Sequence, residues 1–322
     1  MMRSMLLAAC ALGFAAVPGA ALAKQAKAAE TTVKRVSLAE LRKSHGAPDD
    51  RYVTVKGVEL RYRDEGTGPV LLLNHGSRST LNAWDGVTAR LKDRYRIVRF
   101  DIPPTGLSGP LSDEAKKAVG SPEGLVAGFL DALGIDKANV AGVSSGGTLS
   151  YYFAAAYPDR VENLILSNTP SNPVPELKVE TPADLEAATE RAKRTGVEDM
   201  DYWSAYLGSL YGVKSRLKPE TVKYYYETNL RIAEPNPRGL HALTANKDVT
   251  MAYLAKVKAP VMLVWGMRDY VLPPVQGRDL ESYLVNAKSR SFVALDSVGH
   301  YPPMESPEAV ADLIDAYIRR DR

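Results

Sequence analysis

The chain has 322 residues, enough for one large α/β domain with an insertion or for two domains. Charged residues make up 25% and the formal net charge is only +3, with Lys and Arg scattered. That balance excludes a disordered chain and gives no footprint for nucleic acid. The chain opens on a targeting pattern. Arg3 supplies a positive start, Met5 to Val17 an apolar stretch, and Ala21-Leu22-Ala23 a small-residue cleavage signal before Lys24. The expectation is a signal peptide over residues 1–23, cut after Ala23, and a periplasmic or secreted protein. The apolar stretch is too short and too Ala-rich for a stable membrane span. The single cysteine, Cys10, falls inside that segment, so a mature chain would have no disulfide and must rely on an ordinary core.

Residues 24–50 read as a polar linker followed by a short helix from Ser37, a serine N-cap, to Arg42. Tyr52 to Val55 and Val58 to Arg63 alternate in polarity around Lys56-Gly57, a hairpin signal. Val70 to Leu73 is a continuous apolar run, as expected of a strand buried on both faces, and it ends in Asn74-His75-Gly76-Ser77-Arg78. A helix over 82–91, a strand over 96–101 and a helix over 122–133 follow. Next comes a short buried strand, Asn139 to Val143, then Ser144 and a helical pattern over 148–157. A strand over 161–166 precedes a long stretch rich in Glu, Lys, Tyr and Ala. Strands over 261–265 and 291–295 alternate with helices over 277–284 and 307–318. Strands separated by single helices, on both sides of one helical stretch, predict a mostly parallel sheet flanked by helices.

The stretch Gly142-Val143-Ser144-Ser145-Gly146 carries the chemistry. It fits G-x-S-x-G, in which a serine sits on a sharp strand-to-helix turn and flanking side chains would clash. Ser144 then projects its hydroxyl above the sheet, and the N–H of Ser145 at the helix start is the expected oxyanion donor. Ser145 does not itself fit as the nucleophile, because Val143 would occupy the crowded position two residues before it. A serine hydroxyl needs a neighbouring base. Of four histidines, only His300 lies in a loop after a late strand; His45 precedes the core and His241 falls in the helical stretch. His75 follows a strand but reads as a loop brace. The histidines show no metal-ligand spacing, so neither a zinc site nor any other cofactor is expected.

Five blocks in order, His75-Gly76, Asp101 to Gly106, Gly142 to Gly147, Trp265 to Asp269 and Gly299-His300, each end a strand. On them the chain resembles the α/β-hydrolase superfamily, of the serine-nucleophile, esterase- and lipase-like kind, over nearly all the sequence after residue 23. The resemblance implies the α/β-hydrolase fold and a Ser144–Asp269–His300 triad. It implies an oxyanion hole from the amides of Ser77 and Ser145, with His75, Gly76, Gly142 and Gly146 in support. Asp269 is favoured over Asp296, which reads as a strand end. The alternative acid position of the superfamily reads Ser167-Asn168-Thr169 and has no carboxylate. Asp101 reads as a loop anchor, and Arg78 as either a solvated loop charge or a receptor for an acidic substrate. Pro104 departs from the family, which usually has glycine there. A serine where dehalogenases and epoxide hydrolases carry aspartate disfavours those two chemistries. The implied division is a core over 51–172 and 248–322, with a helical cap over 173–247. The cap aromatics Tyr202, Trp203, Tyr206, Tyr211, Tyr224, Tyr225 and Tyr226 either pack it down or wall an enclosed pocket. The implied activity is hydrolysis of a small-molecule carboxylic ester through an acyl-enzyme. Amide or lactone hydrolysis and cofactor-free perhydrolysis use the same triad. A non-catalytic binding member of the fold is the alternative of another class.

Overall fold

The computed structural model describes residues 34–171, 180–232 and 247–320. The expected signal peptide, the first part of the linker, His241 and both ends of the expected cap lie outside these residues.

Eight strands form one sheet in the order β1-β2-β4-β3-β5-β6-β7-β8. They are β1 (Arg51–Val55), β2 (Val58–Glu65), β3 (Val70–Asn74), β4 (Arg96–Phe100), β5 (Ala138–Val143), β6 (Val161–Ser167), β7 (Val261–Gly266) and β8 (Arg290–Leu295). β1 and β2 form the hairpin read from Lys56-Gly57, and both turn residues have positive φ, at 49° and 82°. β2 runs antiparallel to β4, and every pairing from β4 to β8 is parallel.

The continuous apolar runs reflect burial on both faces. In β3, Leu72 joins the cluster on one face of the sheet, while Leu71 and Leu73 join the cluster on the other. Val140 and Ala141, Leu164 and Ile165, and Leu263 and Met262 divide in the same way. This is the period-2 alternation of a strand, with helices in place of solvent on both sides.

The helices are α1 (Leu38–His45), α2 (Asp85–Leu91), α3 (Asp113–Val119), α4 (Pro122–Ala132), α5 (Ser145–Ala156), α6 (Ala183–Thr195), α7 (Met200–Leu210), α8 (Pro219–Thr228), α9 (Lys247–Leu254), α10 (Pro274–Tyr283), α11 (Pro302–Glu305) and α12 (Pro307–Arg319). α1 starts on a capping box between Ser37 and Glu40. Five helices, α4, α8, α10, α11 and α12, begin on the proline that fits the first turn. α3, α9 and α11 have no counterpart in the sequence reading. No helix among the described residues is long and apolar enough to cross a membrane.

Between β6 and β7 the described residues form α6, α7, α8 and α9. Trp203, Leu207, Tyr225 and Val222 of α7 and α8 belong to the same apolar cluster as α2, α12 and one face of the sheet. Burying a large side chain of this kind contributes about 1.5–3 kcal/mol. The aromatics interlock: Tyr202 stacks on Tyr206, and Trp203 meets Tyr206 edge-on at 5.5 Å.

Candidate active site

The site lies at the C-terminal ends of β3, β5 and β7 and in the loop after β8. Ser144 follows β5 with φ 53° and ψ −129°, a conformation that L-residues rarely adopt. Its N–H donates to Ser167 O at 3.0 Å, and α5 starts at once, three residues earlier than the sequence pattern indicated. The two glycines are required by close approach. A Cβ on Gly142 would lie 2.4 Å from Gly146 O, and one on Gly146 would lie 2.2 Å from His75 O.

Three side chains from three loops are joined in series. Ser144 Oγ lies 3.0 Å from His300 Nε2, and His300 Nδ1 lies 2.7 Å from Asp269 Oδ2. With Nδ1–H donating to the carboxylate, Nε2 presents its lone pair to the serine hydroxyl. His300 and Asp269 are buried, and Ser144 is half-buried. Asp269 Oδ1 accepts the N–H groups of Val271 (2.7 Å) and Leu272 (2.9 Å), and Oδ2 also accepts Asn168 Nδ2 at 2.7 Å. Four donors thus fix the carboxylate. Asp296 lies exposed beyond the end of β8.

The loop after β3 closes on the same point. Ser77 is exposed, and its hydroxyl is 2.9 Å from that of Ser145, so the two residues expected to offer amide donors stand side by side. Gly76 N–H donates to Tyr301 Oη at 2.6 Å. His75 is fully buried. Its Nε2 accepts Ile102 N–H at 2.8 Å, so its Nδ1–H donates to Gly76 O, also at 2.8 Å. Burial pulls this imidazole below its ordinary pKa, against the opposing pull of the Asp101 carboxylate. Asp101 anchors the loops, accepting Leu81 N–H at 2.7 Å, Leu107 N–H at 2.8 Å and Arg61 Nη1 at 3.1 Å. The peptide before Pro104 is cis.

Arg78 is not the free loop charge that the sequence offered as one reading. Its guanidinium donates to Tyr202 Oη at 2.8 Å, pairs with Glu198, and lies 4.5 Å from the Trp203 ring centroid and 5.1 Å from that of Tyr206. An aromatic face of α7 and the Glu198 carboxylate occupy it, because a planar cation stacks where a hydrated ammonium would not.

Three residues of this site carried no assignment in the sequence reading. Asn168 was noticed only as lacking a carboxylate, yet it holds Asp269. Tyr301 directly follows His300 and ties its loop to Gly76. Glu305 accepts the N–H of Gly299. Among the described residues no three His, Cys, Asp or Glu side chains converge so as to hold a metal ion.

The family model described as alpha/beta hydrolase fold matches residues 69–307. The chain belongs to the α/β-hydrolase family. It is 29% identical over 286 residues to a 2-hydroxy-6-oxononadienedioate/2-hydroxy-6-oxononatrienedioate hydrolase of Burkholderia vietnamiensis, covering 84% of this chain and 96% of that one. It is 26% identical over 259 residues to a pimeloyl-[acyl-carrier protein] methyl ester esterase of Nitrosomonas europaea, covering 78% and 96%. Among solved structures, a thermophilic esterase from Thermogutta terrifontis is similar with a TM-score of 0.64 and 25% identity, covering 84% of this chain and 98% of that one. These family relatives are hydrolases.

Proposed function

We propose that this chain is a cofactor-independent serine hydrolase of small carboxylic esters. The observation that carries the reading is the series Ser144 Oγ, His300 Nε2, His300 Nδ1, Asp269 Oδ2, with links of 3.0 and 2.7 Å. In this reading Ser144 Oγ attacks the ester carbon and its proton passes to His300 Nε2. The imidazolium so formed is held by Asp269. The amides of Ser145 and Ser77 stabilise the oxyanion, aided by the N-terminus of α5. His300 then protonates the departing alcohol, and water, deprotonated by the same imidazole, releases the acid and frees Ser144.

A second reading, hydrolysis of a C–C bond in an unsaturated keto acid, is favoured by the similarity to the Burkholderia vietnamiensis enzyme. It uses the same three residues. A series of p-nitrophenyl esters of increasing chain length, run beside a 2-hydroxy-6-oxo-dienoate, separates the two. Faster turnover of the dienoate than of every ester would replace the first reading with the second. Labelling with a fluorophosphonate tests what they share: the adduct is expected on Ser144, and an unlabelled folded protein would remove both. We also read residues 1–23 as an export signal, so that the reaction runs in the periplasm or outside the cell. An N-terminus at Lys24 on the exported protein is the expected result.

A further inference from the structure

The cap helix α7 meets the core most tightly at the loop carrying His300. His300 N–H donates to Leu210 O, at the last residue of α7, at 2.8 Å. The preceding amide, Gly299 N–H, donates to Glu305 Oε2 at 2.7 Å. That carboxylate also accepts Gly212 N–H at 2.8 Å, Val213 N–H at 2.9 Å and Arg216 Nη1 at 3.1 Å, all from the segment that follows α7. Arg216 reaches on to the His300 loop, donating to Ser297 O at 3.0 Å and to Ser297 Oγ at 3.1 Å.

The Glu305 side chain is 0% exposed. Burying a carboxylate costs several kcal/mol, and only a full set of charge-assisted hydrogen bonds offsets that cost. Here the set is divided: three donors belong to the cap segment and the fourth lies one residue before His300. The two backbones approach so closely that neither tolerates a side chain. A Cβ on Gly299 would stand 2.5 Å from Gly212 N and Leu210 O, and one on Gly212 would stand 2.7 Å from Val298 C. The His300 loop therefore has a second wall made by the cap, opposite the wall made by β7 and Asp269.

We propose that Glu305 is a positioning residue for His300, and that through it the cap sets where the base sits. Its carboxylate bonds to Gly212, Val213, Arg216 and Gly299 rather than to Ser144 or Asp269, so its effect on the reaction passes through the peptide units of Gly299 and His300. The proposal rests on the serine-hydrolase reading above. Catalytic geometry tolerates little error, since a displacement of about 1 Å can cost on the order of 10²-fold in rate. Removing the carboxylate should therefore lower kcat while leaving the substrate pocket formed by the rest of the cap in place.

The test compares Glu305→Gln, Gly212→Ala and Arg216→Gln with the wild-type protein. It measures kcat, KM and the rate at which an alkyl fluorophosphonate modifies Ser144, on samples shown to be folded by circular dichroism. The expected result is a fall in kcat and in phosphonylation rate of about tenfold to 10²-fold for Glu305→Gln and Gly212→Ala, with KM changing little. Arg216→Gln keeps the carboxylate and its three amide donors, so its loss should be the smallest. Wild-type kcat and phosphonylation rates in the folded Glu305→Gln and Gly212→Ala proteins, whatever their melting temperatures, would overturn the proposal. So would a rise in KM at constant kcat, which would assign the bracket to substrate binding. If Glu305→Gln does not fold, Gly212→Ala decides. Failure of the wild-type protein to be phosphonylated at Ser144 would instead sink the serine-hydrolase reading, which keeps the two failures apart.

Discussion

The two ends of α7 are held to the core by different physics. At its C-terminal end, Leu210 and the segment after it are bound through backbone amides and the buried Glu305 carboxylate. At the N-terminal end the tie is made by side chains: Arg78 with Glu198, Tyr202, Trp203 and Tyr206. Arg78 and Glu198 retain 33% and 42% of their side-chain exposure. Removing one partner from a buried ionic network typically costs about 3–5 kcal/mol, whereas a water-exposed pair contributes roughly 0–1 kcal/mol. One end of the helix is thus a fixed bracket beside His300, and the other a latch beside the Ser77 loop. The Arg78 end is therefore held by the weaker ties, and none of them reaches the His300 loop.

Between the two ends of α7, the larger effect should come from forcing the fixed end apart. Gly299→Ala places a methyl against the backbone of Leu210 and Gly212. It should cost about 1–3 kcal/mol of stability by overpacking and lower kcat by on the order of 10²-fold through His300. Chemical denaturation and steady-state kinetics on the same sample check this; wild-type kcat would show that the bracket does not govern the base.

A smaller effect is expected at the latch. Arg78→Met removes the stacked cation and its ion pair while keeping an apolar stem. It should loosen the first turns of α7 by about 1 kcal/mol. Hydrogen exchange should then quicken over residues 200–204 and stay unchanged over 208–210. Equal acceleration at both ends would break the distinction between bracket and latch.

The smallest effect concerns pH. The folded state favours neutral His75, because burial depresses its pKa and Nε2 must accept Ile102 N–H. A depressed pKa contributes stability that is present above the unfolded value, about 6.5, and is lost as pH falls below it. Wild-type stability should therefore decline more steeply below that pH than the stability of His75→Gln, whose amide can accept the same N–H without titrating. Parallel slopes for the two proteins would remove His75 from the acid response.

Much of this arrangement was legible in the sequence, and the reason is local. β3, β5 and β7 are apolar over most of their length, and β6 from Leu164 to Leu166, because both faces are buried there, and that signal does not depend on the partner strand. Lys56-Gly57 fixes the hairpin by its φ angles alone. Gly142 and Gly146 mark Ser144 because the elbow excludes Cβ atoms at those positions. What escaped is what depends on contacts distant in sequence. Glu305 lies five residues after His300, yet three of its four donors come from residues 212–216. Asn168 and Asp269 are 101 positions apart, and nothing in either neighbourhood pairs them. Arg78 read as a loop charge because the aromatic face that receives it is contributed by α7, more than a hundred residues later. α3 escaped for a different reason: at seven residues, it is too short to show a helical period.

The central claim is that Ser144 is the nucleophile activated by His300. It is tested most directly by the turnover of Ser144→Ala on the best p-nitrophenyl ester, measured on protein whose circular dichroism matches the wild type. The substitution removes one oxygen and leaves the elbow intact. A loss of kcat on the order of 10⁶ is expected, the scale seen when a serine protease loses its nucleophile. Retention of more than a few per cent of wild-type activity would contradict the assignment of Ser144, because turnover would then not depend on its Oγ.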